Sequence, residues 1–223
     1  MEIFLLRHFE SEKNIQNKMS YNDEEKLTLN GKKQCEEFSR LFKEFCKKYN
    51  IRIDQINAAN SNRAKETANT IASFLGNLLV KSFSDLRSTN AGNLAGKSLD
   101  DIKKQDPFFA KHYDLYRKGL LNLYYLDENW HDEKKESKKH FEKKVLNCFK
   151  KIINDSIGKD VFIVAHRASI SAILISIARE IGIYPRDFYG SVEFSLGSIS
   201  WITLLKSKEW QINFINTKIE EIK

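Results

Sequence analysis

Short apolar runs along the chain alternate with longer segments in which apolar residues recur about every 3.6 positions. The runs predict β-strands, in chain order EIFLL, QINAANS, NLLVKSF, DVFIVAH, SLGSISWITLL and WQINFIN. DVFIVAH is the clearest of them, because a short β-branched run ends abruptly at a polar residue. We expect these six runs to be the strands of a sheet.

Four intervening segments have the period of an α-helix. The first follows Thr28, a residue type favoured at the helix N-cap, and the second extends from Ala64 to Leu75. The third begins at Ser137, and the fourth follows His166 and stops at Gly182, since glycine commonly ends a helix. Strands that alternate with helices through long crossovers predict an α/β fold, with a mostly parallel central sheet and helices on both faces.

The composition is that of a globular protein. Hydrophobic residues make up 41% of the 223 residues and charged residues 30%, which argues against a disordered chain. The length suits one domain, or one domain that carries a sizeable insertion. Charged residues crowd the first ten positions, so no secretory signal is expected. His166 and Arg167 interrupt the most apolar stretch, so no membrane partner is expected.

The formal net charge of +7 raises the question of a nucleic-acid partner. Most lysines come as scattered pairs on the polar faces of predicted helices, and no nucleic-acid motif accompanies them. Solvated helix faces therefore explain the charge better, although a mild attraction for small anionic substrates remains. Cys35, Cys46 and Cys148 are odd in number and lack CxxC spacing, so we expect core residues in a reducing cytoplasm.

Cationic side chains follow three of the predicted strands: Arg7 and His8 the first, Arg63 the second, and His166 and Arg167 the strand DVFIVA. In a parallel sheet these strand ends meet at one edge, where ligands bind. Buried cations are costly without an anion, and a phosphoryl group is the obvious one for arginines and histidines. The alternative to one shared site is that these residues lie in three unrelated turns at the surface.

The stretch LRHFESEKN, at residues 6–14, resembles the signature of the histidine phosphatase superfamily, which has the phosphoglycerate-mutase-like fold. That signature is leucine, arginine, histidine, glycine, an acidic or similar residue, serine or threonine, and an asparagine three positions on. Weaker family marks follow in the right order and cover nearly the whole chain: LTLNGKKQC, SNRAKETANTIA, LRSTNAGNLAGKS, ESKKHFEKKV, FIVAHRASIS and GSIS. The ordered set implies the phosphatase branch of this family.

The resemblance implies roles for five residues. His8 would be the nucleophile that forms a phosphohistidine, which water then hydrolyses. Arg7 and Arg63 would hold the non-bridging oxygens of the phosphoryl group, and His166 would stabilise the charge that grows in the transition state. Asn14 would add a hydrogen bond to the same group. Because arginines supply the positive charge, neither a metal nor another cofactor is expected.

Three residues depart from the family pattern. Phe9 replaces the small residue after the nucleophile, and Arg167 replaces the glycine after the second histidine. Arg167 either adds a guanidinium to the phosphate pocket, which we expect, or points to solvent. Ser88 stands where the family has a glutamate acid, and a hydroxyl cannot protonate an alkoxide at neutral pH as a carboxylic acid does. Asp85 and Glu10 are the nearest substitutes in sequence.

The resemblance also implies a single domain, residues 1–223, whose insertion at about 97–135 covers the site as a lid. Asp132 in this lid is a further candidate for the acid. Lids in this fold select the substrate, although an aromatic stripe is more often a packed helix face than a ligand platform. Its aromatic residues are Phe108, Phe109, Tyr113, Tyr116, Tyr124, Tyr125 and Trp130.

The resemblance implies a cytoplasmic phosphomonoesterase that acts on a small phosphorylated metabolite. Such an enzyme can be a homodimer. A phosphoglycerate-mutase-type phosphotransferase is one alternative, although a mutase especially needs its acid. A catalytically weakened protein that binds a phosphorylated ligand and regulates is another, and the serine at position 88 favours it. Ser88 and Arg167 are placed with Asn14 among the phosphate-binding residues.

Overall fold

The sheet provides the frame of the molecule. A computed structural model describes residues 1–16, 18–19, 23–117, 136–183 and 194–222. Within these residues six strands form one sheet in the order β3-β2-β4-β1-β5-β6. The strands are β1 (Glu2–Arg7), β2 (Ile53–Ala59), β3 (Val80–Phe83), β4 (Asp160–Ala165), β5 (Ile199–Leu204) and β6 (Trp210–Thr217). Each of the six predicted runs overlaps one of them, so the strand predictions are confirmed.

The strands that end in cationic residues run in the same direction. β1 and β2 each pair in parallel with β4, whereas β5 pairs antiparallel with both β1 and β6. Arg7 lies opposite Ala165, and Ala58 lies opposite Val164 one residue earlier on β4. The carboxyl ends of β1, β2 and β4 therefore meet at one edge, and the mostly parallel sheet is confirmed.

Seven α-helices connect or flank the strands within the described residues. They are α1 (Glu12–Gln16), α2 (Leu29–Lys48), α3 (Asn62–Phe74), α4 (Leu99–Gln105), α5 (Pro107–Arg117), α6 (Lys138–Asp155) and α7 (Arg167–Glu180). In the tertiary structure α2 packs on α3, and α6 packs on α7. The long helices α2, α3, α6 and α7 correspond to the four that the periodicity predicts.

The predicted helix ends rest on local chemistry. The Thr28 hydroxyl accepts a hydrogen bond from the Gly31 amide, and the Ser137 hydroxyl accepts one from the His140 amide. Both serve as N-caps, which satisfy amides that have no partner inside the helix. After α7 the chain turns at Gly182 with a φ of +80°, a left-handed conformation that glycine adopts without strain.

An aromatic core joins α2 to the sheet. Phe42 of α2 contacts Phe4 of β1 edge-on at 5.1 Å between ring centroids and Phe162 of β4 at 4.9 Å. All three rings are fully buried. The three cysteines are free and buried, as expected for core residues. This core holds β1 and β4 rigidly side by side, and their ends carry the two predicted catalytic histidines.

The predicted lid is described in part. Its first residues form α4 and α5, where Phe109 is buried and Phe108 is exposed. The rings of Tyr113, Tyr116, Tyr124, Tyr125 and Trp130 and the Asp132 carboxylate lie outside what the structure describes. None of the helices in the described ranges is both long and apolar enough to cross a membrane.

Candidate active site

His8 follows β1 directly, at the carboxyl edge of the sheet. Its backbone amide donates to the Ala165 carbonyl at 3.2 Å, which continues the β1–β4 pairing by one residue. The side chain is 4% exposed, and Nδ1 lies 2.7 Å from the Phe9 carbonyl oxygen. A carbonyl oxygen only accepts hydrogen bonds, so Nδ1 carries the proton. Nε2 consequently keeps the lone pair that a nucleophile needs.

His166 occupies the N-cap position of α7, one residue beyond β4. Its ring lies against that of His8, with 5.0 Å between ring centroids and an angle of 68° between ring planes. The Ser61 hydroxyl, at the N-cap of α3, shares a 3.2 Å hydrogen bond with Nε2 of His166. The ends of β1, β2 and β4 thus bring two imidazoles and a hydroxyl together.

Arg63 lies in the first turn of α3 and is 1% exposed. Its Nη1 donates to Oε2 of Glu25 at 2.9 Å. Its Nε and Nη2 are buried and have no hydrogen-bond partner among the described residues. Burial lowers the pKa of Arg63, with Glu25 acting in the opposite direction. A buried guanidinium group whose Nε and Nη2 can still donate hydrogen bonds is suited to bind an anionic ligand.

Arg7 contributes a second guanidinium at the same edge. Its Nη1 donates to the Phe194 carbonyl oxygen, which ties the side chain to the segment before β5. The charges of Arg63 and Arg7 act on both His8 and His166. Arg7, His8, Arg63 and His166 form what we call the cationic pocket. The structure thus brings together the four residues predicted to be catalytic, while their roles remain predictions.

Both imidazoles of the cationic pocket are held neutral. Burial, followed by the charges of Arg63 and Arg7, lowers the pKa of His8 well below its ordinary value. Burial also lowers the pKa of His166, with the charge of Arg63 next in size. A neutral His8 is the form that can attack phosphorus. The field that keeps the histidines neutral is also the field that attracts a phosphate dianion.

Asn14 and Arg167 lie near the cationic pocket. Oδ1 of Asn14 accepts hydrogen bonds from Ser11, at 3.0 Å from its amide and 2.6 Å from its hydroxyl, so it orders the turn into α1. Arg167 is the first residue of α7 and is half-buried, and its charge acts on Lys13 of α1. That both residues contact a phosphoryl group stays a prediction.

Ser88 is half-buried and follows a 3-10 turn at Ser84–Leu86. The Ser169 hydroxyl, in the first turn of α7, donates to the Leu86 carbonyl at 2.8 Å and to the Arg87 carbonyl at 3.1 Å. These bonds attach the chain just before Ser88 to the helix that His166 begins. The backbone just before position 88 therefore lies against the first turn of α7, and position 88 offers a hydroxyl and no carboxylate.

The two carboxylates that sequence proximity suggests as substitute acids have other partners. Oε1 of Glu10 accepts from the Thr28 hydroxyl at 2.6 Å and from the Asn30 amide at 3.3 Å, at the start of α2. Asp85 is exposed, and its charge acts on Cys148 of α6. Their geometry favours neither as a donor to a leaving group at His8.

Lys13 and Glu25 belong to this site although the sequence patterns did not single them out. Burial and then the charge of Arg63 lower the pKa of Lys13 to about 8. Glu25 reaches Arg63 because the Asn62 amide donates to the Asp23 carbonyl at 2.7 Å, which holds residues 23–25 over the start of α3. The only signal for Lys13 was its place beside Asn14 in the N-terminal motif, and Glu25 had none.

Phe9 fills space behind the nucleophile. Its ring is 4% exposed and packs edge-on against Phe38 of α2, with 5.5 Å between ring centroids. Gly197, before β5, lies directly against the ring, and its amide donates to the Arg7 carbonyl at 3.1 Å. The bulky residue next to His8 is therefore a core side chain and does not block the pocket.

Comparison with known proteins agrees with this geometry. The sequence profile of the histidine phosphatase superfamily (branch 1) matches residues 3–218. No curated protein sequence matches the chain. Among solved structures, YhfR from Bacillus stearothermophilus has a TM-score of 0.78 at 19% identity, and the match covers 99% of both chains.

Two further structures have the same fold at similarly low identity. Mycobacterial glucosyl-3-phosphoglycerate phosphatase in complex with VO3 has a TM-score of 0.77 at 16% identity, covering 97% of this chain and 99% of that one. A phosphoserine phosphatase mutant from Entamoeba histolytica, in complex with phosphoserine, has a TM-score of 0.70 at 18% identity, covering 97% and 96%. At this identity the likeness establishes the fold alone.

Proposed function

Because the chain belongs to the histidine phosphatase superfamily (branch 1), we propose that it is a phosphomonoesterase that acts on a small phosphorylated metabolite. The observation that carries the proposal is the state of His8. Its Nδ1 proton is held by the Phe9 carbonyl, and burial beside Arg63 and Arg7 keeps the ring neutral. His8 thus presents Nε2 as a nucleophile in a field that attracts phosphate.

The reaction proceeds in two displacements at phosphorus. Nε2 of His8 attacks the phosphoryl group, the bond to the ester oxygen breaks, and a phosphohistidine forms. Nε and Nη2 of Arg63 donate to non-bridging oxygens, and Arg7 adds a second guanidinium. His166 stabilises the charge on the transferring group, with Ser61 orienting its ring. Water then hydrolyses the phosphohistidine and regenerates His8.

Positioning and electrostatics supply most of the catalysis in phosphoryl transfer. The cationic pocket provides positive charge from two guanidinium groups, so the proposed reaction needs no metal. Hydrolysis is favoured over mutase-type transfer, because solved structures of this fold include phosphatases of phosphoserine and of glucosyl-3-phosphoglycerate. Assaying the conversion of 3-phosphoglycerate separates the two activities.

The test is a panel of phosphate esters incubated with wild type and His8→Ala. We expect wild type to release phosphate from at least one ester and to form an acid-labile phosphoprotein, and His8→Ala to do neither. His140→Ala is the matched control, because His140 lies on α6 with a largely exposed side chain. Vanadate, which resembles the pentacoordinate transition state, should inhibit wild type competitively. Equal activity in wild type and His8→Ala would contradict the proposed mechanism.

Ser88 supports a second candidate function, a regulatory protein that binds a phosphorylated ligand without hydrolysing it. This candidate predicts that phosphate esters bind in calorimetry and that the binding requires Arg63, with no turnover. Steady hydrolysis that is abolished in His8→Ala would eliminate it.

A further inference from the structure

Asn216 lies at an irregular position near the end of β6. Between the paired residues Ile199–Thr217 and Trp201–Phe214, β5 has one residue and β6 has two, so β6 bulges there. Asn216 has a φ of +53°, a left-handed conformation that asparagine adopts more readily than most residues do. A bulge interrupts the regular pairing and turns a side chain in a new direction. It thus allows the Asn216 side chain to contact a loop outside the sheet.

That loop consists of residues 194–198 and leads into β5. On one side, the Arg7 amide at the end of β1 donates to the Ser198 carbonyl at 3.1 Å. On the other side, the ammonium group of Lys218, which follows β6, donates to the Leu196 carbonyl. The loop is therefore attached both to the strand that precedes the nucleophile and to the end of β6.

One peptide group of this loop connects Asn216 to Arg7. The amide of Ser195 donates to Oδ1 of Asn216 at 2.9 Å. The carbonyl of the same peptide group, which belongs to Phe194, accepts a hydrogen bond from Nη1 of Arg7. In a trans peptide group the N–H and C=O bonds point in opposite directions. Asn216 and Arg7 therefore contact opposite edges of one peptide group.

The chemistry of both contacts fixes their direction. A backbone N–H only donates, so the atom of Asn216 that faces Ser195 is its carbonyl oxygen. A guanidinium group also only donates, so Arg7 requires an acceptor such as the Phe194 carbonyl. The two bonds polarise the shared peptide group in the same sense, and each strengthens the other. Loss of the Asn216 bond should consequently weaken the hold on Arg7.

The backbone of Asn216 is itself anchored. Its amide donates to the Ser200 hydroxyl at 3.1 Å, and Ser200 is 1% exposed on β5. The bulge would otherwise leave this amide without its regular ladder partner. The ring of Phe194, at the other end of the contact, is also 1% exposed. Buried groups on both sides thus hold the Phe194–Ser195 peptide in place.

The contact with Phe194 matters because of the shape of the Arg7 side chain. A guanidinium group is planar, and its N–H groups form a rigid fork. A hydrogen bond at Nη1 therefore determines where the remaining N–H groups point. Without that bond the long side chain would sample several rotamers, and ordering them on binding would cost free energy.

We propose that Asn216 is a positioning residue for Arg7. It fixes the Phe194–Ser195 peptide group, whose carbonyl holds the guanidinium group of Arg7 in the orientation that binds a phosphoryl group. The inference rests on the proposed function, in which Arg7 contacts the transferring group. Asn216 acts through Arg7 and needs no contact of its own with the substrate.

The test begins with Asn216→Gly, which removes the acceptor and keeps a residue that adopts a positive φ without strain. We expect the Kd of inorganic phosphate in calorimetry and the Ki of vanadate to rise by about tenfold to about 10²-fold. kcat/KM for a phosphate ester should fall by a similar factor. Asn50→Gly is the matched control, because Asn50 has the same φ of +53° and is exposed in the turn after α2. It should change none of these quantities.

Binding constants distinguish a loss of orientation from a loss of folded protein. Fewer folded molecules would lower kcat and leave KM, the Kd of phosphate and the Ki of vanadate unchanged. Asn216→Asp is the conservative variant, because it retains an oxygen acceptor for the Ser195 amide and tolerates the left-handed backbone. It should recover most of the affinity that Asn216→Gly loses.

A double-mutant cycle tests whether Asn216 acts through Arg7. In the Arg7→Ala background no guanidinium group remains to be oriented. Asn216→Gly should then change the Kd of phosphate by less than about twofold. Additive losses from the two substitutions would show that Asn216 affects binding by another route, and they would overturn the proposal.

The outcomes separate the two proposals. If wild type hydrolyses no phosphate ester, the phosphatase function fails, while the Kd of phosphate still tests the role of Asn216. If Asn216→Gly binds phosphate and vanadate as tightly as wild type does, or if wild type binds neither anion, the role of Asn216 is overturned. Should Asn216→Gly not fold, Ser200→Ala takes its place, because it removes the hydroxyl that anchors the Asn216 amide. An unchanged Kd of phosphate in that variant also overturns the proposal.

Discussion

The ring of Phe9 occupies the space that a side chain at position 197 would need. A β carbon on Gly197 would lie 2.2 Å from Cε1 of Phe9, and the glycine itself has a φ of +67°. The amide of Gly197 donates to the carbonyl of Arg7, the residue before the nucleophile. The bulky Phe9 and the absent side chain at 197 are thus complementary, and together they support the loop that carries His8.

This relationship predicts that Gly197→Ala destabilises the protein. The methyl group would overpack the core at a cost of about 1–3 kcal/mol. The left-handed backbone adds about 1–2 kcal/mol. Urea denaturation measures the loss. Gly158→Ala is the matched control, because Gly158 has a similar φ of +79° and nothing within 4 Å of the added carbon, so it reports backbone strain alone.

A double-mutant cycle isolates the contact between the two residues. Phe9→Ala alone should cost about 3–5 kcal/mol through the cavity it leaves. In Phe9→Ala combined with Gly197→Ala, the clash disappears, so the combined loss should be smaller than the two single losses added together. Strict additivity, or an equal loss in the Gly197 and Gly158 variants, would refute steric complementarity.

The buried histidines predict acid sensitivity. His8 and His166 have folded-state pKa values well below the ordinary value of about 6.5, whereas the unfolded chain binds protons near that value. Stability should therefore be complete above about pH 6.5 and decline as pH falls through the unfolded-state pKa towards the folded-state one. The slope contributed by each histidine is up to about 1.4 kcal/mol per pH unit.

Thermal unfolding between pH 7.5 and pH 5 measures this decline. His8→Gln and His166→Gln should each flatten the dependence of Tm on pH, because glutamine does not titrate. His140→Gln should leave the slope unchanged, since that side chain is 71% exposed. A slope that is the same in all three variants would assign the acid sensitivity to other groups.

The Arg63–Glu25 pair predicts a coupling between stability and anion binding. Glu25→Gln removes the charge opposite a guanidinium that is 1% exposed, which should lower the unfolding free energy by about 1–3 kcal/mol. Phosphate should recover more stability in this variant than in wild type, because the anion then supplies the missing charge. Glu37→Gln provides a control, since the Arg40–Glu37 pair is exposed and contributes little.

Denaturation with and without inorganic phosphate measures this coupling. Equal stabilisation of wild type and Glu25→Gln by phosphate would show that the ligand does not approach Arg63. That result would move the phosphate site away from the cationic pocket.

We expect Ser88→Glu to increase the activity of an enzyme that lacks a general acid, and to do so mainly for esters with a poor leaving group. The added carboxylate should raise kcat/KM for an alkyl phosphate by up to about 10² to 10⁴-fold, because position 88 then carries a carboxylic acid that can protonate the alkoxide. An aryl phosphate should gain less, because its phenolate leaves unaided. Single-turnover rates for the aryl and alkyl esters measure both effects.

The opposite pattern is equally informative. Equal kcat/KM for the alkyl ester in wild type and Ser88→Glu would mean that another group already donates the proton. Ser88→Gln, which has the shape of glutamate without its proton, separates acid chemistry from a steric change.

The sequence by itself determined the strands, the four long helices and the edge at which cations gather. Arg7 ends β1, and His8 and His166 directly follow strands whose apolar runs are unmistakable. Arg63 stands two residues after the predicted run QINAANS. Strand ends are local features, and parallel pairing then brings them to one edge whatever the details of packing. For this reason the sequence alone predicts that these four site residues lie together.

Tertiary structure alone decided the partners of those residues. Three features depend on how loops pack across the sheet edge. The Phe9 carbonyl bonds to Nδ1 of His8, Glu25 pairs with Arg63, and Lys13 lies within reach of the charges of the guanidinium groups. Glu10 lies within the N-terminal motif and yet accepts a hydrogen bond from Thr28, the N-cap of α2. Apart from the His8–Phe9 pair, these contacts join residues well separated in the chain. Their energies depend on burial, which periodicity does not encode at loop positions.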